Sequence, residues 1–306
     1  MLNPRVSTII PTYNCAATLP AAIDSALAQE FDRHEIIVVN DGSTDDTAAI
    51  LARYGDRIRT IEQSNMGFNR ARNVAIKIAR GDYFAFLDAD DIWLPGRVAR
   101  TCAALDRNPA AVLAFTEVIP MDERGELGPP WIVGAAPTLS DLLTRGWRIY
   151  PSAVTMRRSI YLAAGGFSEE LTNLSDCYLW MRAREFGPFE YLTEPLTVYR
   201  TIDFGRIGDK YGVGYKRFAR AVRRRYGRAA KPFVRSLAEV FSSSLITKAV
   251  TQTERGERLS ACTTFARAAW ISPRYVIRSG LVRRLVSRRN LRRTIGTAKP
   301  SSSTRA

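Results

Sequence analysis

The chain is poor in residues that several common chemistries need. Among 306 residues there is one histidine, His34. That excludes a histidine-rich metal site and leaves a Ser-His-Asp triad only that residue to rest on. The four cysteines, Cys15, Cys102, Cys177 and Cys262, lie far apart with no CxxC pair. They argue against a zinc cluster or a disulfide framework and fit a reducing compartment. No run reaches eighteen uncharged apolar residues, so no membrane-spanning helix is expected. The opening stretch, MLNPRVSTIIPTYN, lacks a basic start, an apolar stretch and a small-residue cleavage site, so no signal peptide is expected. No GxGxxG follows an apolar run, which disfavours a dinucleotide dehydrogenase. With so little imidazole, acid–base chemistry falls to carboxylates.

What is present is of globular composition, 46% hydrophobic and 25% charged. The length suits one large α/β domain with an appended segment, or two modest domains. The net charge of +15 is unevenly spread. From Arg206 to Ala306 there are 25 Lys+Arg against 4 acidic residues, a net of +21, so the preceding residues carry −6. A neutral-to-acidic catalytic or binding module followed by a basic module that meets an anionic surface is the expected organisation.

Short apolar runs at 6–10 (VSTII), 35–39 (EIIVV) and 83–87 (YFAFL) have the character of strands buried on both faces of a parallel sheet. Between them Leu19, Ala22, Ile23, Ala26 and Leu27 share one helical face, and Ser43 with Asp46 resembles a capping box opening a helix through Tyr54. Residues 58–62 (IRTIE) read as a strand and Phe68 to Ala79 as a helix. The alternation predicts a doubly wound parallel sheet, in which ligands bind at strand carboxyl ends. That rule selects PTYN (11–14), NDGSTDD (40–46) and DADD (88–91), the three polar clusters of the first hundred residues. Beyond residue 95 the pattern loosens. A helix is expected from Pro95 to Arg107, a strand at 110–118, a turn-rich loop or hairpin at 121–130, a break at GGF (165–167) and a helix at 174–187.

Asp88, Asp90 and Asp91 stand within four residues. Two carboxylates about 4 Å apart repel by roughly 4 kcal/mol at an effective dielectric near 20, so such a group protonates or binds a cation. Oxygen ligands without a nearby imidazole or thiolate suit Mg²⁺ or Mn²⁺, with positions left for phosphate oxygens, hence for a nucleoside diphosphate. The plain alternative is an acidic helix start ahead of Ile92–Arg97.

VSTIIPTYN, VVNDGSTDDT, NMGFNRARNVAI and GDYFAFLDADDIWLPGRV, in this order and at these intervals, resemble the family 2 glycosyltransferases. The resemblance continues more weakly through PSAVTMRRSIYLAAGGFSEEL and SDCYLWMR to about residue 200. It implies the A-type glycosyltransferase fold, an α/β Rossmann-like, mostly parallel sheet flanked by helices, here with a basic helical C-terminal extension. With the charge division and the polar tail, the expected domains are 1–205, nucleotide-sugar-binding and catalytic; 206–296, basic and mainly helical; and 297–306, a disordered tail. Through the resemblance Tyr13 would frame the nucleobase with Pro11, Thr12 and Asn14 shaping the loop. Asp41 would accept a hydrogen bond from the base, and Arg72 would reach the nucleotide or its phosphates. Asp88 would touch ribose or metal, with Ala89 beside it at the nucleotide sugar, and Asp90 would ligate the Mg²⁺ or Mn²⁺ that bridges the diphosphate. Tyr13 and Asp41 could also be plain turn residues, and Arg72 a solvated helix arginine.

An inverting transferase needs a base on the acceptor hydroxyl. The family's acidic pair after Gly-Gly-Phe corresponds to Ser175-Asp176, so Asp176 is the matching base, with Glu169 and Glu170 as rivals. Ser175 and Tyr178 stand where acids are common, which keeps open a catalytically degenerate relative acting as a membrane-associated binding protein. Tyr199-Arg200 is followed by no histidine, leaving Asp203 or water to complete a metal site. A phosphatase of the haloacid dehalogenase type shares the strand-then-DxD pattern, but there the first aspartate follows the first strand. The expected activity is transfer from a nucleoside-diphosphate sugar, UDP-linked by expectation, to a glycan or lipid-linked acceptor in cell-surface polysaccharide assembly. Trp131, Trp147 and Arg148 are candidate acceptor contacts.

Residues 273–293 combine an apolar face, Ile277, Leu281, Val282, Leu285 and Val286, with eight arginines. That is the pattern of a helix lying in a membrane interface, with KRFARAVRRRYGR (216–228) adding charge. A packed helix with solvated arginines is the plain alternative, and nucleic acid is disfavoured because no binding motif accompanies the charge. A cytoplasmic enzyme, peripheral on the inner face of the plasma membrane, is the expected setting.

Overall fold

The structure is a computed structural model that describes residues 3–144, 149–201 and 204–278. Strand and helix alternate as the apolar spacing predicts: β1 (Val6–Thr12), α1 (Leu19–Leu27), β2 (His34–Asp41), α2 (Thr47–Ala52), β3 (Arg59–Gln63), α3 (Phe68–Ile78) and β4 (Tyr83–Phe86). Every residue of β1 and β4 is buried, because helices cover both faces of a sheet built from such crossovers. In α1, Leu19, Ala22, Ile23 and Ala26 are buried at helical spacing. Trimming Ile23, which is wholly enclosed, to alanine would cost about 2–5 kcal/mol.

The chain continues through β5 (Ile92–Trp93), α4 (Arg97–Arg107), β6 (Leu113–Met121), α5 (Leu139–Thr144), β7 (Val154–Arg157), α6 (Arg158–Ala163), α7 (Ser175–Arg184) and β8 (Phe189–Arg200). The eight strands form one sheet in the order β3-β2-β1-β4-β7-β6-β8-β5. The pairs among β3, β2, β1 and β4 are parallel, as is β6 with β8. β7 runs antiparallel between β4 and β6, and β5 antiparallel to β8. The sheet is therefore mostly parallel, as expected. This topology places the carboxyl ends of β1, β2, β3, β4, β6 and β8 and the beginning of β7 along one edge.

One plain alternative falls away and one local expectation is corrected. DADD does not open a helix: Ile92 and Trp93 pair with Val198 and Thr197 as a short strand, and α4 starts only at Arg97, after the left-handed Gly96. Ser43 does not cap α2. Its hydroxyl accepts the backbone N–H of Asn14 at 2.9 Å, while Asp45 receives the Thr47 N–H at 3.1 Å.

The described residues divide into two compact units, one drawn from Met1–Asp203 with Gly214–Val234 and the other from Phe204–Val213 with Arg235–Ala306. The helices α8 (Phe204–Tyr226) and α9 (Lys231–Glu254) contribute to both units, and α10 (Arg258–Ile271) and α11 (Pro273–Arg278) belong to the second. The Ser242 hydroxyl donates to the Ala268 carbonyl at 3.1 Å, tying α9 to α10. Among the described residues no helix is long and apolar enough to cross a membrane. Trp147, Arg148, Asp203, the arginine-rich run after Arg278 and the tail at 297–306 lie outside the described residues.

Candidate active site

A cavity of about 260 Å³ opens at the ends of β1 and β2, lined by Pro11, Thr12, Tyr13, Asp41, Asn65, Gly67 and Phe68. Two loops are stitched together to form its rim. Asn14, in the left-handed region at φ 52, donates its N–H to Ser43, and its side-chain oxygen accepts the Thr44 N–H at 2.7 Å. Gly42 is required behind it: its φ is +73, and a Cβ there would meet the Asn65 nitrogen at 2.6 Å. Tyr13 is 47% exposed and Phe68 44%, two aromatic rings standing open at the cavity. Thr12 is buried, and its hydroxyl has no partner among the described residues.

Asp41 lines this cavity but is committed to its wall. One carboxylate oxygen accepts Gln63 Nε2 at 2.6 Å and the Met66 N–H at 2.8 Å, and the other accepts the Gly67 N–H at 2.8 Å. A carboxylate has about four acceptor positions, so roughly one remains for a ligand. Of the residues expected at the nucleotide, Pro11, Thr12, Tyr13 and Asp41 line the cavity. Asn14 ties the loops instead, and Ala89 is buried in the core.

The three aspartates after β4 occupy different environments. Asp88 pairs with the Arg72 guanidinium. Asp91 is fully buried. It accepts the Ser152 hydroxyl at 2.5 Å and the Arg200 N–H at 2.8 Å, and burial first, then Asp90 and Asp88, raises its carboxyl well above the ordinary range. Asp90 lies between them, and its carboxylate has no side-chain partner among the described residues. Burial, then the Asp88 charge, pushes its pKa up to about 6. Ser152 is the hub of this loop. Its hydroxyl also accepts the Asp88 N–H at 3.0 Å, and its carbonyl accepts Trp93 Nε1 at 2.7 Å and the Arg97 guanidinium at 3.1 Å.

Arg72 is buried, not solvated. Its guanidinium carbon lies 5.1 Å from the Phe68 ring centre and 4.9 Å from that of Phe167. Its Nε is a buried donor with no partner among the described residues. The same face of α3 carries Asn69 and Asn73, one turn apart. Asn69 donates to the Leu171 carbonyl at 2.5 Å and accepts the Ser175 hydroxyl at 2.5 Å, and Asn73 donates to the Phe167 carbonyl at 2.9 Å. This clamps the Gly-Gly-Phe turn and the start of α7, which carries Asp176, onto α3. Burial raises the Asp176 carboxyl; Asp88 adds to that and Arg72 opposes it. Asp176 thus lies within electrostatic reach of the Arg72–Asp88 pair. Glu169, a rival base, is turned to Asn73 at 3.0 Å. Asn69, Asn73 and Ser152 escape a motif reading, although the Asn-x-x-Arg-Asn spacing on one helical face was visible in the sequence.

The carboxylates fit a divalent cation only as a partial set. Asp88 and Asp90 offer hard oxygen donors, and the desolvated Asp90 carboxyl is the kind a cation relieves. Among the described residues no group of three or more His, Cys, Asp or Glu side chains is arranged to hold an ion. His34 is bonded to Thr8 at 2.5 Å, at the far end of β1 and β2.

Residues 7–186 match the family described as Glycosyl transferase family 2. The chain belongs to this family. It is 34% identical over 199 residues to an uncharacterized glycosyltransferase of Rickettsia felis, a match covering 61% of this chain and 33% of that protein. To the chondroitin synthase of Escherichia coli it is 29% identical over 198 residues, covering 62% and 28%. The chain thus spans about a third or less of these curated relatives. S. aureus TarS 1-349 superposes with a TM-score of 0.59 at 20% identity, over 89% of this chain and 82% of that one. The mannosyltransferase PcManGT from Pyrobaculum calidifontis, in complex with GDP-Man and Mn²⁺, gives 0.58 at 16% identity over 92% and 87%. These likenesses show the A-type fold for this family 2 glycosyltransferase.

Proposed function

We propose that this chain is an inverting glycosyltransferase that moves a sugar from a nucleoside-diphosphate donor, UDP-linked, to a glycan or lipid-linked acceptor. The observation that carries the reading is the convergence, on one sheet edge, of an aromatic-mouthed cavity, the Arg72–Asp88 pair, Asp90 and the desolvated Asp176. A solved complex of S. aureus TarS with UDP-GlcNAc supports the choice of donor class.

In this reading the nucleobase enters the cavity against Tyr13 and Phe68, and the Gly67 loop held by Asp41 forms its wall. Arg72, fixed between two rings, faces the diphosphate with its Nε, a donor without a partner among the described residues. Asp88 and Asp90 would hold Mg²⁺ or Mn²⁺, which when bound neutralises charge on the departing diphosphate. Asp176 accepts the proton of the acceptor hydroxyl as that oxygen forms its bond to the anomeric carbon. The bond from that carbon to the diphosphate breaks, and its electron pair leaves with the diphosphate. A carboxyl raised by burial holds the proton better than an exposed one, which suits a base. Ser175 serves the Asn69 clamp, so the loss of an acid there leaves Asp176 in place.

The test is a thermal-shift panel of nucleoside-diphosphate sugars with Mn²⁺, followed by transfer assays on the stabilising donor. Stabilisation by UDP-sugars is expected; no stabilisation by any member of the panel contradicts the reading. We place the enzyme in cell-surface glycan assembly, held at an anionic cytoplasmic membrane face by its basic C-terminal residues. Co-sedimentation with liposomes should rise with anionic lipid content, and indifference to that content would refute the placement.

A further inference from the structure

Three aromatic residues from distant parts of the chain meet beside the aspartates and take no part in the site described so far. The Tyr150 and Tyr199 ring centres are 4.2 Å apart with an interplanar angle of 36°, and the Trp131 ring lies 5.6 Å from Tyr150 and 6.0 Å from Tyr199. All three are half-buried. Their position is fixed by the backbone on both sides of the aspartate loop. Tyr199 precedes Arg200, whose N–H donates to Asp91 at 2.8 Å and whose Nε reaches the Asp90 carbonyl at 3.2 Å. Tyr150 stands two residues before Ser152, which bonds both Asp88 and Asp91. Trp131 is pinned to β6 by its N–H on the Val118 carbonyl at 2.9 Å.

Along the sheet edge the order is then cavity at β1 and β2, aspartates at β4, aromatic cluster at β7, β6 and β8. A donor with its base in the cavity and its diphosphate at the aspartates leaves the third position to the other substrate. The cluster's chemistry narrows what that substrate is. Its ring faces are apolar, yet each ring carries a polar edge, two phenol hydroxyls and one indole N–H. A pyranose has the complementary form, with C–H groups on its face and hydroxyls around its rim. An acyl chain would require a continuous apolar groove without such edges.

We propose that Trp131, Tyr150 and Tyr199 form a stacking platform for a pyranose ring of the acceptor, so that this enzyme extends an existing saccharide. The inference rests on the glycosyltransferase reading above, and the experiment separates the two. Methyl glycosides of glucose, galactose, mannose, N-acetylglucosamine and N-acetylgalactosamine are offered to the full chain in the presence of UDP and Mn²⁺. Saturation-transfer NMR reads the sugar ring protons, and melting shifts read UDP binding. At least one glycoside should receive saturation. Trp131→Ala and Tyr150→Leu should each weaken that glycoside by at least about fivefold, the size expected of a truncated hot spot. Trp131→Phe should restore part of it, and the UDP-induced melting shift should be unchanged in every variant. A merely structural role for the rings would leave the glycoside affinity of any folded variant unaltered.

The platform is overturned if no glycoside binds a wild type that binds UDP, or if both truncated variants bind glycoside normally. It is also overturned if the variants erase only the gain in affinity of UDP-sugar over UDP, which would give the rings to the donor. Failure of the wild type to bind UDP would sink the glycosyltransferase reading itself, and the platform with it.

Discussion

Replacing Asp41 by asparagine separates two jobs that one carboxylate could have at this cavity. If Asp41 mainly recognises the base, the substitution lowers nucleotide affinity and leaves the fold alone. The structure gives it three donors, Gln63 Nε2, the Met66 N–H and the Gly67 N–H, at 2.6–2.8 Å, in a residue 2% exposed. An amide keeps one oxygen, enough for Gln63 and Met66 as weaker, neutral bonds, and sets an NH₂ against the Gly67 N–H. Losing one bond to a charged acceptor and weakening two others costs about 2–3 kcal/mol. For a unit of this size that corresponds to a fall in melting temperature of roughly 4–10 °C. Differential scanning fluorimetry without nucleotide measures it. Tyr13→Ala, at the open mouth of the cavity, is the control and should change stability by no more than about 0.5 kcal/mol while weakening nucleotide binding. An Asp41→Asn melting temperature within 1 °C of wild type, with only affinity reduced, would refute the structural assignment.

Other outcomes follow from the same geometry. Asp176→Asn should lower the transfer rate by about 10²–10⁴-fold with UDP binding retained; loss of UDP binding as well would remove its assignment as the base. Because the base must be deprotonated and burial raises its carboxyl, the wild-type rate should fall with acidification at a midpoint above about 3.9, the ordinary aspartate value. An acid limb at or below that value would contradict the burial argument. Ser152→Ala removes an acceptor from Asp88 and a donor from Asp91 and should destabilise the chain by about 1–3 kcal/mol in denaturant melts. Unchanged stability would show that Ser152 is not the hub of the aspartate loop.

The first ninety residues were largely legible because their elements are specified locally. VSTII, EIIVV and YFAFL are continuous apolar runs between helical spacings, and a parallel sheet needs little else. The second half was less legible because its strands borrow their stability from neighbours. β7 is four residues long, and β8 carries Glu190, Glu194 and Pro195 within its span, so neither has an apolar pattern that stands alone. At the candidate site, the acidic cluster was visible in the sequence, and the family resemblance pointed to Tyr13, Asp41, Arg72 and Asp176. It could not find that Asp41 is bound up with the 63–67 loop, that Asp91 is buried while the Asp90 carboxylate has no side-chain partner among the described residues, or that Ser152 joins Asp88 and Asp91. Those facts depend on contacts between residues from 22 to 109 positions apart. The aromatic cluster was hidden for the same reason: Trp131 stood out as a candidate acceptor contact beside Trp147 and Arg148, with nothing in the sequence to join it to Tyr150 and Tyr199.

The claim on which the functional account depends is that cavity, aspartates and Asp176 serve one ligand. Diffraction from crystals of the chain grown with UDP and Mn²⁺ tests it most directly. The account predicts uracil in the cavity between Tyr13 and Phe68, with the diphosphate and cation at Asp88 and Asp90 beneath Arg72, and Asp176 facing the open end. Nucleotide bound elsewhere, or uracil in the cavity with its diphosphate directed away from the aspartates, would contradict it.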